Sequence, residues 1–297
     1  MTRIPNFFII GAPKCGTTAM SEYLRNHPNI FISEPKEPHY FSTDIQTRHA
    51  IRKLDDYLAC FKLATENHDS IGDASVAYLS SKTAVFDILK FNADSRFLVM
   101  LRNPVELAYS WHSEALYNSY EVEKDFEKAW RLQDDRIRGR YVPRICTDVK
   151  LLIYREVAAL GSQMERLLQL VPKKQVHVIF FDDFKTDTKG VYEGVLQFLG
   201  LPPDNQFSFP IINDSKAVRS PTIMFFSHLV ARVKKQLGIS KGLGILEKIN
   251  VQRKPRPIMS DSLRKELVEY FRPEVVKLEQ LLGRDLSAWK NVASFDR

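Results

Sequence analysis

The stretch FFIIGAPKCGTT, residues Phe7 to Thr18, is the part of the sequence that decides the predicted fold. Its first four residues are apolar and predict a buried β-strand, which breaks at Gly11 into a short loop. The spacing of apolar residues after Thr18 predicts a helix, with Thr17 or Thr18 as its N-cap. A strand, a glycine-containing loop and a helix N-terminus together present backbone N–H groups to an anion. We therefore expect the chain to open on an anion site.

Predicted strands and helices alternate along the rest of the chain. Strands are expected at 30–32, 96–101 and 176–181, with a strand end within 70–75. Helices are expected at 18–26, 46–66, 80–91, 105–117, 123–140, 156–170 and 260–282. A further helix is expected to follow 182–184 and to end at Leu199, with Gly200 as its C-cap. This alternation predicts an α/β fold: a single domain over residues 1–297 with a central parallel sheet flanked by helices on both faces. The basic stretch 232–257 is either a mobile surface loop or a lid over a ligand.

Composition and charge narrow the class of protein. The formal net charge of +7 suits anionic ligands, although it also suits weak binding to nucleic acid. Cys15, Cys60 and Cys146 are far apart, which predicts free thiols in a reducing compartment and no zinc site. The first strand follows Met1 too closely for a signal peptide, and no apolar run reaches the roughly 18 residues of a membrane span. We expect a soluble, cytoplasmic protein.

The opening loop departs from the P-loop pattern GxxxxGK[ST] in one informative way. Gly11, Gly16 and Thr18 fit the pattern, but Thr17 stands where a nucleotide triphosphatase needs lysine. The lysine is instead at position 14. A nucleotide-dependent kinase remains an alternative, with Asp182 after VHVIFF as the nearest magnesium-binding carboxylate, but the missing lysine disfavours it.

The motif PKCGTT, Pro13 to Thr18, closely resembles the 5′-phosphosulfate loop of sulfotransferases that use 3′-phosphoadenosine 5′-phosphosulfate (PAPS). The resemblance implies a P-loop-like domain in which Cys15, Gly16, Thr17 and Thr18 hold the 5′-phosphate. It also implies that Lys14 contacts the oxygen between phosphorus and sulfur and stabilises charge on the leaving group.

A second motif is similar to the 3′-phosphate site of the same family. In FLVMLRNPVELAYSWH, Arg102 follows a predicted strand, and Ser110 lies eight residues later on the next predicted helix. An arginine fork suits a phosphate because it donates two parallel hydrogen bonds. The resemblance implies that Arg102 and Ser110 bind the 3′-phosphate that distinguishes PAPS from ordinary nucleotides.

Later segments resemble the carbohydrate sulfotransferases of the heparan-sulfate type. These are YFRPEVVKLEQLLGRDLSAW at 270–289 and the stretch 181–201. The basic run 252–257 falls where those enzymes close a loop over the nucleotide, so Arg253 and Lys254 are candidate PAPS contacts, although the glycine of that loop is absent. The disulfide that braces this region in the family has no counterpart, because no cysteine follows Cys146.

The resemblance implies in-line attack of an acceptor on sulfur, with adenosine 3′,5′-bisphosphate (PAP) leaving and no obligatory metal. Within EPKEPHYF, residues 34–41, Glu37 matches the family's glutamate base, and we assign it that role. His39 is the alternative base, because histidine titrates near neutrality. The competing interpretation is that Glu37 has no catalytic role and only forms an ion pair with Lys36. As a base it needs a raised pKa, for which the apolar side chains around it are expected to provide the burial.

The expected function is transfer of a sulfuryl group from PAPS to an acceptor hydroxyl, on a saccharide or a small molecule. The stretch Asp73 to Leu79 resembles the lip of the family's acceptor cleft, with Val76 in place of the usual proline. A basic glycan- or nucleic-acid-binding module without catalysis is the remaining alternative. It accounts for the charge but leaves both phosphate motifs unexplained, so we expect neither a nucleic-acid partner nor a membrane span.

Overall fold

The computed structural model describes residues 3–204, 208–210, 216–218, 251–253 and 257–292. Most of the basic stretch 232–257, including Lys254, lies outside these described residues. The alternatives of surface loop and lid therefore stay predictions.

The chain divides into two compact units. The first comprises Met1–Leu107, Ala158–Ile212 and Leu267–Arg297, and the second comprises Ala108–Val157 and Asn213–Glu266. A single domain over the whole chain stays a prediction from the sequence.

The first unit is built on a five-stranded parallel sheet with the strand order β2-β3-β1-β4-β5. The strands are β1 (Phe7–Gly11), β2 (Ile30–Ile32), β3 (Ser70–Asp73), β4 (Arg96–Leu101) and β5 (Val176–Phe180). Helices connect the strands, so the predicted α/β fold with a parallel sheet flanked by helices is confirmed.

The helices are, in chain order, α1 (Thr17–Arg25), α2 (Leu54–Ala59), α3 (Ala84–Phe91), α4 (Pro104–Tyr117), α5 (Phe126–Arg131), α6 (Gln133–Ile137), α7 (Tyr154–Val157), α8 (Leu160–Leu170), α9 (Phe181–Thr186), α10 (Thr188–Leu199) and α11 (Asp261–Leu282). In the second unit, β6 (Lys216–Val218) pairs antiparallel with β7 (Val251–Arg253). None of the helices in the described ranges combines the length and apolarity needed to cross a bilayer.

The sheet is anchored by its two most apolar strands. Every residue of β1 is buried, and β1 lies between β3 and β4. Phe8 pairs in register with Phe97 of β4, and the two rings stack with centroids 6.0 Å apart. Because parallel strands end at the same edge, the loops after β1, β3 and β4 meet at the carboxyl edge of the sheet.

The predicted helix 46–66 is much shorter than expected. Only Leu54–Ala59 of 46–66 is helical, and Arg52 just before it donates to the carbonyls of His39 (2.9 Å) and Ile45 (3.1 Å). The preceding segment is thus held by side-chain bonds to the loop that carries His39. Such bonds leave no signal in the sequence, so the apolar spacing alone predicted too long a helix.

The stretch 123–140 was predicted to be one solvated helix, but it forms two short helices that meet at Leu132. Arg136 is only 1% exposed, and its guanidinium lies 2.7 Å from the carboxylate of the fully buried Glu121. The prediction was wrong because a buried ion pair is indistinguishable, in sequence, from a pair of surface charges.

Candidate active site

The loop after β1 exposes backbone N–H groups at the start of α1. Lys14 and Gly16 both have left-handed backbone conformations, with φ of 63° and 88°. Residues that alternate in this way turn successive N–H groups toward one point, where an anion is favoured. Gly16 is the N-cap of α1, and no side chain caps the helix there. Thr17 and Thr18 are the first helical residues, so the prediction that one of them is the N-cap was wrong. The absence of a side-chain cap leaves the N–H groups at the start of α1 available to an anion.

Packing behind the loop requires a glycine at position 16. A Cβ atom there would lie 3.2 Å from the rings of Phe181 and Phe184. The glycine therefore lets α9 pack close against the loop. The donors, shape and cations of this loop fit a phosphate group, such as the 5′-phosphate of a nucleotide.

Cys15 contributes to this loop without reactive thiol chemistry. It is fully buried, and its thiol donates to the carbonyl of Pro13 over 3.4 Å. Burial raises the pKa of the thiol to about 12, against the opposing effect of the charges of Arg102 and Lys14. The thiol stays protonated near neutrality, so the predicted contact of Cys15 with a phosphate is expected from its backbone N–H.

Arg102 lies against the same loop. It follows β4 directly, and its guanidinium donates to the carbonyl of Lys14 over 3.3 Å. The guanidinium also pairs with Glu106 at 3.1 Å and lies over the ring of Phe181, 4.8 Å from its centroid. The second predicted cation is thus brought to the anion loop by the adjacency of β1 and β4.

The other predicted nucleotide contacts fall in the second unit or outside the described residues. Ser110 is buried on α4 and belongs to the second unit, as does Arg253 at the end of β7. Lys254 is outside the described residues. All three stay predictions from the sequence.

Glu37 has a hydrogen-bond partner on each carboxylate oxygen. Oε1 accepts from Nζ of Lys36 at 2.6 Å, and Oε2 accepts from Nε2 of His39 at 3.2 Å. The side chain is 34% exposed. Its pKa is lowered to about 2: desolvation acts to raise the pKa, but the bond from His39 and the charge of Lys36 together outweigh it. The expected raised pKa is therefore wrong, because the hydrogen bonds and charges of Lys36 and His39 outweigh the effect of burial.

His39 is held rigidly by its backbone. Its φ is 52°, its N–H donates to Oγ of Ser75 over 2.9 Å, and its side chain is buried. Nδ1 has no hydrogen-bond partner among the described residues. Because a carboxylate only accepts, Nε2 carries a proton and donates it toward Glu37. The two predicted base candidates thus form one hydrogen-bonded pair.

Asp73 is linked through Ser75 to the backbone of His39, a connection that the sequence did not reveal. It ends β3, is fully buried, and accepts from Ser75 (2.6 Å), Tyr57 (3.0 Å) and Tyr78 (2.8 Å). Burial raises its pKa to about 6, against the lowering effect of these hydrogen bonds. Ser75 links Asp73 to the backbone of His39. The available signal was a carboxylate at the carboxyl end of a buried strand.

Lys36 also lies in the site and has a second contact that the sequence did not reveal. Besides Glu37, its Nζ contacts Oγ1 of Thr18 at 3.2 Å, on the first turn of α1. An anion loop, its cations and a carboxylate–imidazole pair are therefore joined in one site of the first unit. Such a site is suited to transfer of an anionic group to a nucleophile that must lose a proton.

Comparison with known proteins gives related sequences over nearly the whole chain. The bifunctional heparan sulfate N-deacetylase/N-sulfotransferase 3 of Homo sapiens is 28% identical over 97% of this chain, which covers 31% of that protein. Carbohydrate sulfotransferase 15 of Homo sapiens is 24% identical over 97% of this chain and 55% of its own length. The chain thus spans about a third to about half of the length of these relatives.

A solved structure and a family model agree with this similarity. The crystal structure of a sulfotransferase from Alicyclobacillus acidocaldarius matches with a TM-score of 0.71 and 30% identity, over 97% of this chain and 100% of that one. The family model described as a sulfotransferase domain matches residues 5–244. With its parallel sheet, its anion loop and its cations, the chain belongs to the sulfotransferase domain family.

Proposed function

We propose that this chain is a PAPS-dependent sulfotransferase that moves a sulfuryl group from PAPS to an acceptor hydroxyl and releases PAP. The observation that carries this proposal is the 3.2 Å contact between Lys36 and Thr18, because it joins the Glu37–His39 pair to the anion loop. A base beside a phosphate-binding loop is what sulfuryl transfer needs. PAPS, when bound, supplies the electrophilic sulfur and the leaving phosphate.

The anion loop has the donor-binding role in this proposal. The N–H groups of Cys15, Gly16, Thr17 and Thr18 hold the 5′-phosphate, and Lys14 stabilises the charge that develops on its bridging oxygen. The sequence resemblance assigns the 3′-phosphate to Arg102 and Ser110, and Arg253 and Lys254 are further candidate contacts of the nucleotide. The uncapped N-terminus of α1 supports the first assignment, and the contact of Arg102 with the loop supports the second.

Glu37 accepts the proton of the acceptor, and His39 positions Glu37. The exposed fractions of the two side chains, 34% for Glu37 and 9% for His39, favour this order, because the acceptor must reach the base. Oε2 is held by His39 in this arrangement. Oε1, which faces Lys36, is the oxygen that takes up the proton.

The relatives support a saccharide as the acceptor, and the name N-sulfotransferase of the first relative keeps an amine as the alternative to a hydroxyl. Both have names that refer to sulfation of carbohydrates. A small-molecule alcohol is the alternative, and a screen of saccharides and alcohols with labelled PAPS distinguishes the two classes.

The two other functional classes receive less support. For a kinase, Asp182 is the nearest magnesium-binding carboxylate, but it already accepts from Nε1 of Trp289 at 3.1 Å and pairs with Lys185 at 3.3 Å. A binding module without catalysis leaves the paired Glu37 and His39 without a role. We further propose one functional domain over 1–297 that works in the cytoplasm, since all three cysteines are free thiols.

Binding of PAP tests the proposal. We expect PAP to bind equally well with and without Mg²⁺, and to bind about 10- to 100-fold less tightly to Arg102→Ala, which loses charge-assisted bonds of about 1.5–3 kcal/mol. Isothermal titration calorimetry gives these affinities. Arg272→Ala is the matched control, because Arg272 is exposed and pairs with Glu269 on α11. Equal affinity for PAP and AMP would contradict the 3′-phosphate role of Arg102 and Ser110.

A further inference from the structure

Lys36 shares one ammonium group between the anion loop and Glu37. Nζ lies 3.2 Å from Oγ1 of Thr18 and 2.6 Å from Oε1 of Glu37, and the side chain is only 17% exposed. The carbonyl of Lys36 accepts from Oγ of Ser33 over 3.0 Å, which fixes the backbone at this position. The side chain can therefore change partner while the backbone stays in place.

The chemistry of an ammonium group favours such an exchange. It is a compact charge on a flexible stem with three equivalent donors, so it can rotate from one acceptor to another over a short distance. Thr18 offers it a neutral hydroxyl, whereas Glu37 offers a carboxylate. Negative charge bound beside Thr18 reverses this balance, because the loop side then carries an anion as well.

We propose that Lys36 is a donor-responsive positioning residue, whose ammonium is drawn from Glu37 toward the anion loop when the phosphosulfate group binds beside Thr18. This inference rests on the proposed function. It assigns to Lys36 a role beyond the ion pair with Glu37, namely coupling between the donor loop and the base.

The exchange explains how Glu37 can act as a base. With both partners in place, its pKa is about 2, so it has little tendency to take a proton from an acceptor. Loss of the Lys36 contact removes a cation and a hydrogen-bond donor from Glu37, and this raises the pKa of Glu37. His39 stays in place and keeps the carboxylate oriented. The base then gains strength only when the donor is bound.

Titration of the Glu37 carboxyl group tests this inference without turnover. Carboxyl resonances of ¹³C-labelled protein are followed over pH, with the Glu37 signal assigned by its loss in Glu37→Gln. We expect PAPS, added without acceptor, to raise the pKa of Glu37 by roughly one unit more in the wild-type chain than in Lys36→Ala. Equal PAPS-induced shifts in the two proteins would overturn the proposal, because Lys36 would then remain on Glu37.

Two further variants separate charge exchange from simple structural loss. Lys36→Arg keeps the charge, so its Glu37 should titrate as low as in the wild type before PAPS is added. Lys277→Ala removes a lysine that lies 2.7 Å from Glu165, a comparable ion pair away from the site, and should leave the Glu37 titration unchanged. A raised Glu37 pKa in the Lys277 variant would also count against the proposal.

The same samples distinguish the failure of this inference from the failure of the proposed function. If PAPS does not bind the wild-type chain by calorimetry, the proposed function is wrong. If PAPS binds and supports transfer but the shifts are equal, only the role of Lys36 is wrong.

Discussion

At the scale of single residues, the hydrogen bond between Glu37 and His39 decides how the two candidate bases are related. Either side chain alone suits proton transfer, and their spacing in sequence does not order them. The 3.2 Å contact makes them one unit, and the proposed function has the more exposed carboxylate meet the acceptor while the buried imidazole orients it. Their substitutions should therefore have unequal effects.

Substitution of Glu37 and of His39 should separate base from positioning residue. We expect Glu37→Gln to lower kcat by about 10²- to 10⁴-fold, the usual contribution of a general base. His39→Ala should lower kcat about 10-fold, because it acts through Glu37. PAPS-dependent turnover and PAP affinity are measured for each, and PAP affinity should change little. Glu34→Gln, an exposed glutamate paired with Arg25, is the control. If the His39 variant is the inactive one, the two roles are exchanged.

Asp73 shows how a buried carboxylate makes this cluster sensitive to pH. Its folded-state pKa of about 6 lies above its ordinary value of 3.8, because burial disfavours the charged form. A raised pKa contributes stability that is complete below 3.8 and is lost as pH rises through about 6. Acidification from pH 7 to 5 should therefore favour the folded state at this group.

Comparison of the wild type with Asp73→Asn should reveal this effect. The free energy of unfolding of the wild type, minus that of the variant, should rise by about 1 kcal/mol between pH 7 and pH 5. Urea unfolding at a series of pH values measures this difference in the free energy of unfolding. The contributions of the other titrating groups are the same in both proteins and cancel. Parallel stability curves would show that Asp73 has an ordinary pKa.

At the scale of elements, close packing of helices requires glycine at particular positions. Gly161 on α8 lies against the backbone of α11, where a Cβ would approach the carbonyl oxygen of Glu274 to 2.4 Å. Ser162 next to it donates from its N–H and its hydroxyl to the carboxylate of Glu274, both over 2.7 Å. These contacts hold the C-terminal helix on the first unit.

The substitution Gly161→Ala should separate α8 from α11. We expect a loss of about 1–3 kcal/mol in the free energy of unfolding, as for other overpacked sites. Gly194→Ala is the matched control, since its Cβ would have its nearest neighbour at 4.0 Å and the helix gains up to about 1 kcal/mol in propensity. Denaturant unfolding measures both. Equal stability changes in the two variants would contradict the close approach.

At the scale of the whole molecule, ligand binding should stabilise the folded chain. The anion loop joins β1 to α1, whereas Arg102, which contacts it, follows β4 and is 88 residues from Lys14, so only the folded state binds PAP. At 100 times Kd, PAP should add about 2.7 kcal/mol of stability and raise Tm by a few degrees. Thermal scanning with and without Mg²⁺ measures this shift. Arg102→Ala should show a smaller shift at the same PAP concentration, and an undiminished one would contradict its role.

The sequence by itself was enough to predict the α/β class with a parallel sheet, the strand, loop and helix that open the chain, and the family. Apolar runs at β1, β4 and β5 predicted their strands, and Gly200 ends α10 in a left-handed conformation as predicted. These features are local, because backbone conformation and burial leave a periodic pattern in neighbouring residues. The family motifs are also contiguous, so they were visible without a structure.

Only the tertiary structure decided the electrostatics of the site. The pairing of Glu37 with His39, the bridge from Lys36 to Thr18 and the burial of Asp73 depend on loops that meet at one sheet edge. A pKa depends on every charge and hydrogen bond within a few ångströms, and the sequence does not show which side chains make those contacts, even when they are neighbours along the chain. The pKa of Glu37 was accordingly predicted in the wrong direction, although Glu37 and His39 were both predicted as candidate bases.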